Sequence, residues 1–100
     1  MEKAKTAWLY CHAEKWEGND EISRQVLILQ RFCKSRGIYV RGISKRLGER
    51  MPPDRFYGSD LLLVTDFNRI STDSAELADY IKRAEELGTK VVESSAAAEV

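Results

Sequence analysis

Four consecutive apolar residues, Leu61-Leu62-Leu63-Val64, stand in this chain with no polar residue to mark an outward face. A half-exposed strand alternates apolar and polar side chains. An unbroken run this short fits a strand covered on both faces, as in a parallel sheet. Parallel neighbours need crossover connections of a dozen or more residues, usually helical, and the flanking sequence has that form. Ala7-Trp8-Leu9-Tyr10-Cys11 reads as a first strand. Ile22, Val26, Leu29 and Cys33 then recur at i, i+4, i+7 and i+11, one face of a helix over 20–36, widened by Leu27, Ile28 and Phe32. Asn19 or Asp20 can cap it and Gly37 can stop it.

Residues 38–43 read as a second strand, interrupted by Arg41 and Gly42. Residues 44–58 are irregular, first basic and then Met51-Pro52-Pro53, with room for one helical turn over 53–57. After the Leu61 strand comes a loop over 66–71. Thr72 or Asp73 can cap a helix over 73–87, with Glu76 loosely completing a capping box. Leu77, Ile81 and Ala84 form its apolar face and Gly88 ends it. Lys90-Val91-Val92-Glu93 is a fourth strand. The order β-α-β-β-α-β predicts an α/β fold with a mainly parallel four-stranded sheet and right-handed crossovers.

One hundred residues make one domain. Sixteen basic and sixteen acidic residues cancel, which argues against a protein held to nucleic acid by bulk charge. The cancellation is between halves. Residues 1–50 carry eleven Lys/Arg and six Asp/Glu, a net of +5; residues 51–100 carry five and ten, a net of −5. A basic stretch holds Arg31, Lys34, Arg36, Arg41, Lys45, Arg46 and Arg50 against Glu49 alone. The first three sit where a helix C-terminus favours cations. The stretch could also touch phosphates or meet the acidic second helix of a neighbouring copy. No apolar run approaches a membrane span, and Met1-Glu2-Lys3-Ala4-Lys5 has no signal-peptide pattern, so the expected location is cytoplasmic. Cys11 and Cys33 are then reduced core residues, and with His12 as the sole histidine no metal or other cofactor is expected.

An ordered set of segments resembles the N-terminal catalytic domain of resolvase/invertase-type serine recombinases. In that family the first strand runs into Tyr-x-Arg-x-Ser, whose serine attacks DNA. A glutamine-containing helix follows, and a later strand leads into an Asp-Arg-Leu-(Gly/Ser)-Arg loop. Here Tyr10-Cys11-His12-Ala13-Glu14 occupies the first signature. Ile22-Ser23-Arg24-Gln25 and Phe32-Cys33-Lys34-Ser35-Arg36-Gly37-Ile38 resemble the helix and its end. Asp60-Leu61-Leu62-Leu63-Val64, then Phe67-Asn68-Arg69-Ile70-Ser71-Thr72-Asp73, resemble the strand and loop. Glu85-Glu86-Leu87-Gly88-Thr89-Lys90-Val91-Val92 resembles the next helix end and strand. The resemblance implies a resolvase-like domain over 1–93 with a tail over 94–100 and strand order 2-1-3-4. It also implies a setting of DNA recombination on a mobile element.

The departures fall on the chemistry. The family nucleophile falls on Glu14 and the arginine two before it on His12. The arginine after the helix glutamine falls on Val26, the loop aspartate on Asn68 and the last loop arginine on Thr72; Arg69 is retained. Strand exchange needs a serine hydroxyl and several guanidinium groups on the transferring phosphoryl group, and a carboxylate at Glu14 repels the scissile phosphate. The expectation is therefore a degenerate domain without strand-exchange activity. It would bind itself, a full-length recombinase or another partner, with DNA a weak candidate and no membrane. The family's helix between strands 2 and 3 has no room here, so one sheet face should be partly bare and open to self-association.

The alternative is a divergent enzyme working on a phosphate-containing substrate, with magnesium as a candidate cofactor. It would use Glu14, His12, Asp66 and Arg69 at the strand ends, where ligands bind in open α/β sheets. Each side chain also has a simpler reading. Arg69 is a retained phosphate-binding residue or a solvated or ion-paired loop residue near Asp66 and Asp73. His12 is a base oriented by Glu14 or a surface histidine. Trp16, Phe56 and Tyr57 form a contact surface or fold back on the sheet.

Overall fold

The computed structural model describes residues 5–94, so the tail beyond 94 lies outside the described residues. The elements are β1 (Thr6–Ala13), α1 (Gly18–Arg36), β2 (Tyr39–Leu47), β3 (Leu61–Val64), a 3-10 turn (Phe67–Arg69), α2 (Ser74–Glu86) and β4 (Lys90–Glu93). The sheet order is β2-β1-β3-β4 and every pairing is parallel. Fold class, strand order and the two long helices are as expected from the sequence.

The pleat of β1 sorts the core into two layers. Ala7, Leu9, Cys11 and Ala13 face one way and pack with Leu61 and Leu63 against Ile22, Leu29 and Cys33 of α1. Tyr10, Leu62, Val64 and Val91 belong to the other layer, with Phe56, Ile70 and Ala84 of α2. All four residues of β3 are buried, as a strand with a helix on each side requires. The result is a three-layer sandwich. Gly37 in the left-handed region (φ 66°) closes α1, and the Ile38 amide returns to the Cys33 carbonyl.

Four local expectations are corrected. First, β2 runs to Leu47 instead of ending at 43. The pairing shifts by one residue between Ala7 and Trp8, so that Ala7 meets Val40 but Trp8 meets Gly42. This bulge turns Val40 and Ile43 onto the α1 layer although they are three apart. Beyond it, Lys45 and Arg46 sit on an edge strand, where charged side chains are at home. Second, α1 begins two or three residues earlier than a cap at Asn19 or Asp20 would set it. Glu17 is its first flanking residue, and no side chain caps the helix there. Third, residues 53–57 form no helical turn; the chain bends and then turns at Tyr57 and Gly58. Fourth, the capping box at α2 stays open, although Asp73 caps the helix as expected, its carboxylate accepting from the Glu76 amide. Glu76 accepts from the Ser71 hydroxyl rather than closing a box on Asp73.

The segment between β2 and β3 does the work of the missing helix over part of the sheet. The Met51 amide donates to the Tyr10 hydroxyl (3.1 Å), and the Tyr80 hydroxyl donates to the Pro53 carbonyl (2.6 Å). Phe56 is buried edge-on to Tyr80, with ring centroids 5.9 Å apart. These ties hold the segment over Tyr10 and leave the neighbouring strip of sheet, around Trp8, less covered.

Trp8 lies flat over Gly42. Its indole donates to Ser44 Oγ (2.8 Å) and its ring meets Tyr57 (4.9 Å between centroids). A Cβ on Gly42 would stand 2.4 Å from the Trp8 ring. The ring cannot lift without losing both partners. Gly42→Ala should therefore lower the unfolding free energy by about 1–3 kcal/mol in denaturant titration, and adding Trp8→Leu should recover part of that loss.

Candidate functional site

The C-terminal ends of β1 and β3 bring four segments together: Glu14 to Glu17, the first two turns of α1, Arg50, and the 3-10 turn. Asp66 shapes that turn by accepting from the Asn68 amide (3.0 Å). The turn in turn aims Arg69 back at α1. Its two terminal nitrogens grip Glu17 in a fork, 2.7 Å to Oε1 and 3.1 Å to Oε2. Its Nη2 also stands 3.5 Å from Glu21. Glu21 is itself forked by Arg24 (2.8 and 2.9 Å) and accepts from Gln25 Nε2 (2.8 Å). Beside them Arg50 Nη1 donates to Glu14 Oε1 (2.9 Å) and its Nε to the Asn68 carbonyl (3.1 Å).

Three guanidinium groups are thus met by three carboxylates of the same chain. A guanidinium fork fits a carboxylate or a phosphate equally well, and here the carboxylates hold it. Arg69 and Glu17 are mostly enclosed, with side-chain exposures of 17 and 14%. The Arg69 fork, with the Glu14 amide, holds the Glu17 carboxyl down to about 2. The Arg24 fork likewise lowers Glu21 against the opposing effect of its burial.

A carboxyl depressed in the folded state stabilises above its unfolded pKa and loses that contribution as pH falls through its folded value. For Glu17 the window runs from the ordinary carboxylate range down to about 2. An NMR titration should find the Glu17 carboxyl still ionised at pH 3.5, and Glu17→Gln should move acid unfolding to higher pH.

His12 corrects the surface reading. Its side chain is fully buried, and Nε2 lies 2.9 Å from the Gly48 carbonyl. A carbonyl can only accept, so Nε2 carries the proton. Nδ1 has no partner among the described residues. The His12 backbone is held by Gln25, whose Oε1 accepts from the His12 amide (3.1 Å) and whose Nε2 donates to its carbonyl (2.7 Å). Glu14 does not orient the ring; it is paired to Arg50. Arg69 is ion-paired, and its partners are Glu17 and Glu21 of the first helix region and not the nearby Asp66 and Asp73. Thr72 is exposed and lines an adjoining hollow of about 510 Å³ with Ser71, Glu76 and Tyr80, which the cluster's Arg50 also borders. Cys11 is buried, which pushes its thiol up to about 11 and away from nucleophilic use.

The basic stretch divides among three places. Arg31, Lys34 and Arg36 are exposed on α1, with the Arg36 guanidinium 4.0 Å over the Phe32 ring. Arg41, Lys45 and Arg46 are exposed on β2, while Arg50 is drawn into the strand-end cluster. Of the loop aromatics, Phe56 is buried, Tyr57 lies against Trp8, and Trp16 is 84% exposed. Sequence reasoning passed over Glu17, Glu21 and Arg24. Their spacing of i, i+4 and i+7 on one helix face was the available signal. Among the described residues no group of three or more His, Cys, Asp and Glu could hold a metal ion, and no helix is long and apolar enough to cross a membrane.

The fold is that of serine recombinase catalytic domains. The N-terminal catalytic domain of TP901-1 integrase superposes with a TM-score of 0.78 at 12% identity, over 92% of this chain and 78% of that one. A resolvase family site-specific recombinase from Streptococcus pneumoniae gives 0.78 at 11% identity, over 92 and 73%. The C-terminal catalytic domain of ISC1926 TnpA, an IS607-like serine recombinase, gives 0.74 at 15% identity, over 88 and 68%. No family model matches the chain, and neither does any curated protein.

Proposed function

We propose that the chain is a resolvase-like domain that has given up strand cleavage and acts by binding, to a second copy of itself or to an active recombinase. The observation that carries this reading is the forked Arg69–Glu17 pair. A site that transfers a phosphoryl group needs donors aimed at an empty position where charge will develop. Here the chain's own carboxylates meet the guanidinium donors, and the sequence resemblance assigns Glu14 to the family's serine position. The similarity in fold to recombinases and an integrase supports a setting in DNA recombination, with DNA itself a weak partner.

The side chains of the alternative enzyme are engaged separately: Glu14 with Arg50, Arg69 with Glu17, Asp66 with the Asn68 amide and His12 with Gly48. None of these contacts favours the second reading. Incubation with supercoiled plasmid, with and without magnesium, should leave the plasmid supercoiled. Nicked or relaxed product that depends on Arg69 would overturn the proposal.

A further inference from the structure

We propose that two copies of this chain meet through the sheet face around Trp8, related by a two-fold axis. The inference rests on the oligomerisation reading above and assigns it a surface. On this face α2 lies over β3 and β4, and the segment after β2 covers Tyr10, so the strip formed by Trp8, Gly42 and Ser44 lacks a helix. Tyr57 (60% exposed) and Met51 (51%) border it. Tyr39 (67%) joins the same face, because it pairs with Thr6 while its neighbour Val40 packs with Ala7 on the α1 side. Exposed aromatic and methionine side chains gathered on one face are what the centre of a protein interface is made of.

Charge selects a second copy as the occupant. Trp8 and Tyr57 line a shallow cleft of about 390 Å³ together with Arg46 and Asp54. Neither Arg46 nor Asp54 forms an ion pair among the described residues, although five such pairs occur elsewhere. A two-fold interface is one patch used twice, so it must carry its own complement. This patch does: Arg46 of each copy can meet Asp54 of the other across the aromatic centre. Such flanking charges fix register and exclude wrong partners, because juxtaposed like charges are penalised.

The test is sedimentation velocity of the full chain over the micromolar range. It compares the wild type with Arg46→Asp, Asp54→Arg and an equimolar mixture of those two variants. The wild type should dimerise. Each single reversal places like charges together at both ends of the axis and should weaken the dimer roughly tenfold or more. The mixture restores opposite charges and should recover a heterodimer. Tyr57→Ser should also weaken association while the far-ultraviolet circular dichroism remains that of the folded wild type, separating docking from folding. A wild-type monomer throughout the range overturns the proposal. A dimer indifferent to both reversals overturns this surface while leaving oligomerisation standing. Loss of the non-cleaving reading would appear separately, in the plasmid assay.

Discussion

Replacing Glu17 and Glu21 together by glutamine should convert a chain indifferent to inorganic phosphate into one that phosphate stabilises. In the wild type the Arg69 fork is filled by Glu17, and Glu21 closes the other side at 3.5 Å. Phosphate must displace a carboxylate already tethered at contact distance, a competition that free anions lose at ordinary concentrations. The glutamines keep the size of both side chains and remove their charge. Arg69 is then a largely enclosed cation without a counter-ion, at 17% exposure, beside Arg24 and Arg50. Such a cluster should bind an oxyanion through the same fork. A ligand that binds only the folded state raises the melting temperature by mass action. At ten times its dissociation constant the rise for a domain this small is roughly 6–10 °C. The wild type should show no specific rise over chloride at equal ionic strength. Glu17→Gln alone should show a smaller rise, because Glu21 remains.

Gln25→Leu should be the most damaging single change in the first helix. β3 pairs with β1 only at Ala7, Trp8 and Leu9, so beyond Leu9 that side of β1 has no strand beside it. The His12 amide and carbonyl point there inside the core, and the Gln25 side-chain amide answers both. A carboxamide is suited to the task because its oxygen accepts and its nitrogen has two hydrogens, one for the His12 carbonyl and one for Glu21. Leucine fills the space and answers neither group. Two buried backbone groups left unpaired should cost about 3 kcal/mol or more in denaturant titration. Gln25→Glu should do no better, since a carboxylate faces the His12 carbonyl and Glu21 with no hydrogen to offer either. A loss below about 1 kcal/mol for Gln25→Leu would show that water takes over the two groups.

What the sequence showed clearly was what burial dictates. The limits of β3 and β4 follow from their apolar runs, and Asp73 declares its helix start by its position before the Leu77 face. β2 was foreshortened because an edge strand has water on one side and can carry Lys45 and Arg46. The bulge at Arg41 also broke the alternation that marks a strand. The burial of His12 was hidden because its cover, Gly48, comes from the far end of β2. The partners of Arg69 were hidden for a related reason. Nearby Asp66 and Asp73 were the obvious candidates, yet Glu17 lies 52 residues away in sequence and meets Arg69 only through the parallel pairing of β1 with β3. Tertiary ion pairs leave little trace in one sequence. The resemblance to a catalytic loop located the position, and the fold supplied the counter-ions.

The proposed loss of strand cleavage rests on strand-end guanidinium groups that are held by the chain's own carboxylates. Its most direct test is the intact mass of the protein after incubation with supercoiled DNA, denaturant quenching and nuclease digestion. The unmodified mass is expected, with or without magnesium. A nucleotide-phosphate adduct on the wild-type chain, lost in Arg69→Ala, would contradict it.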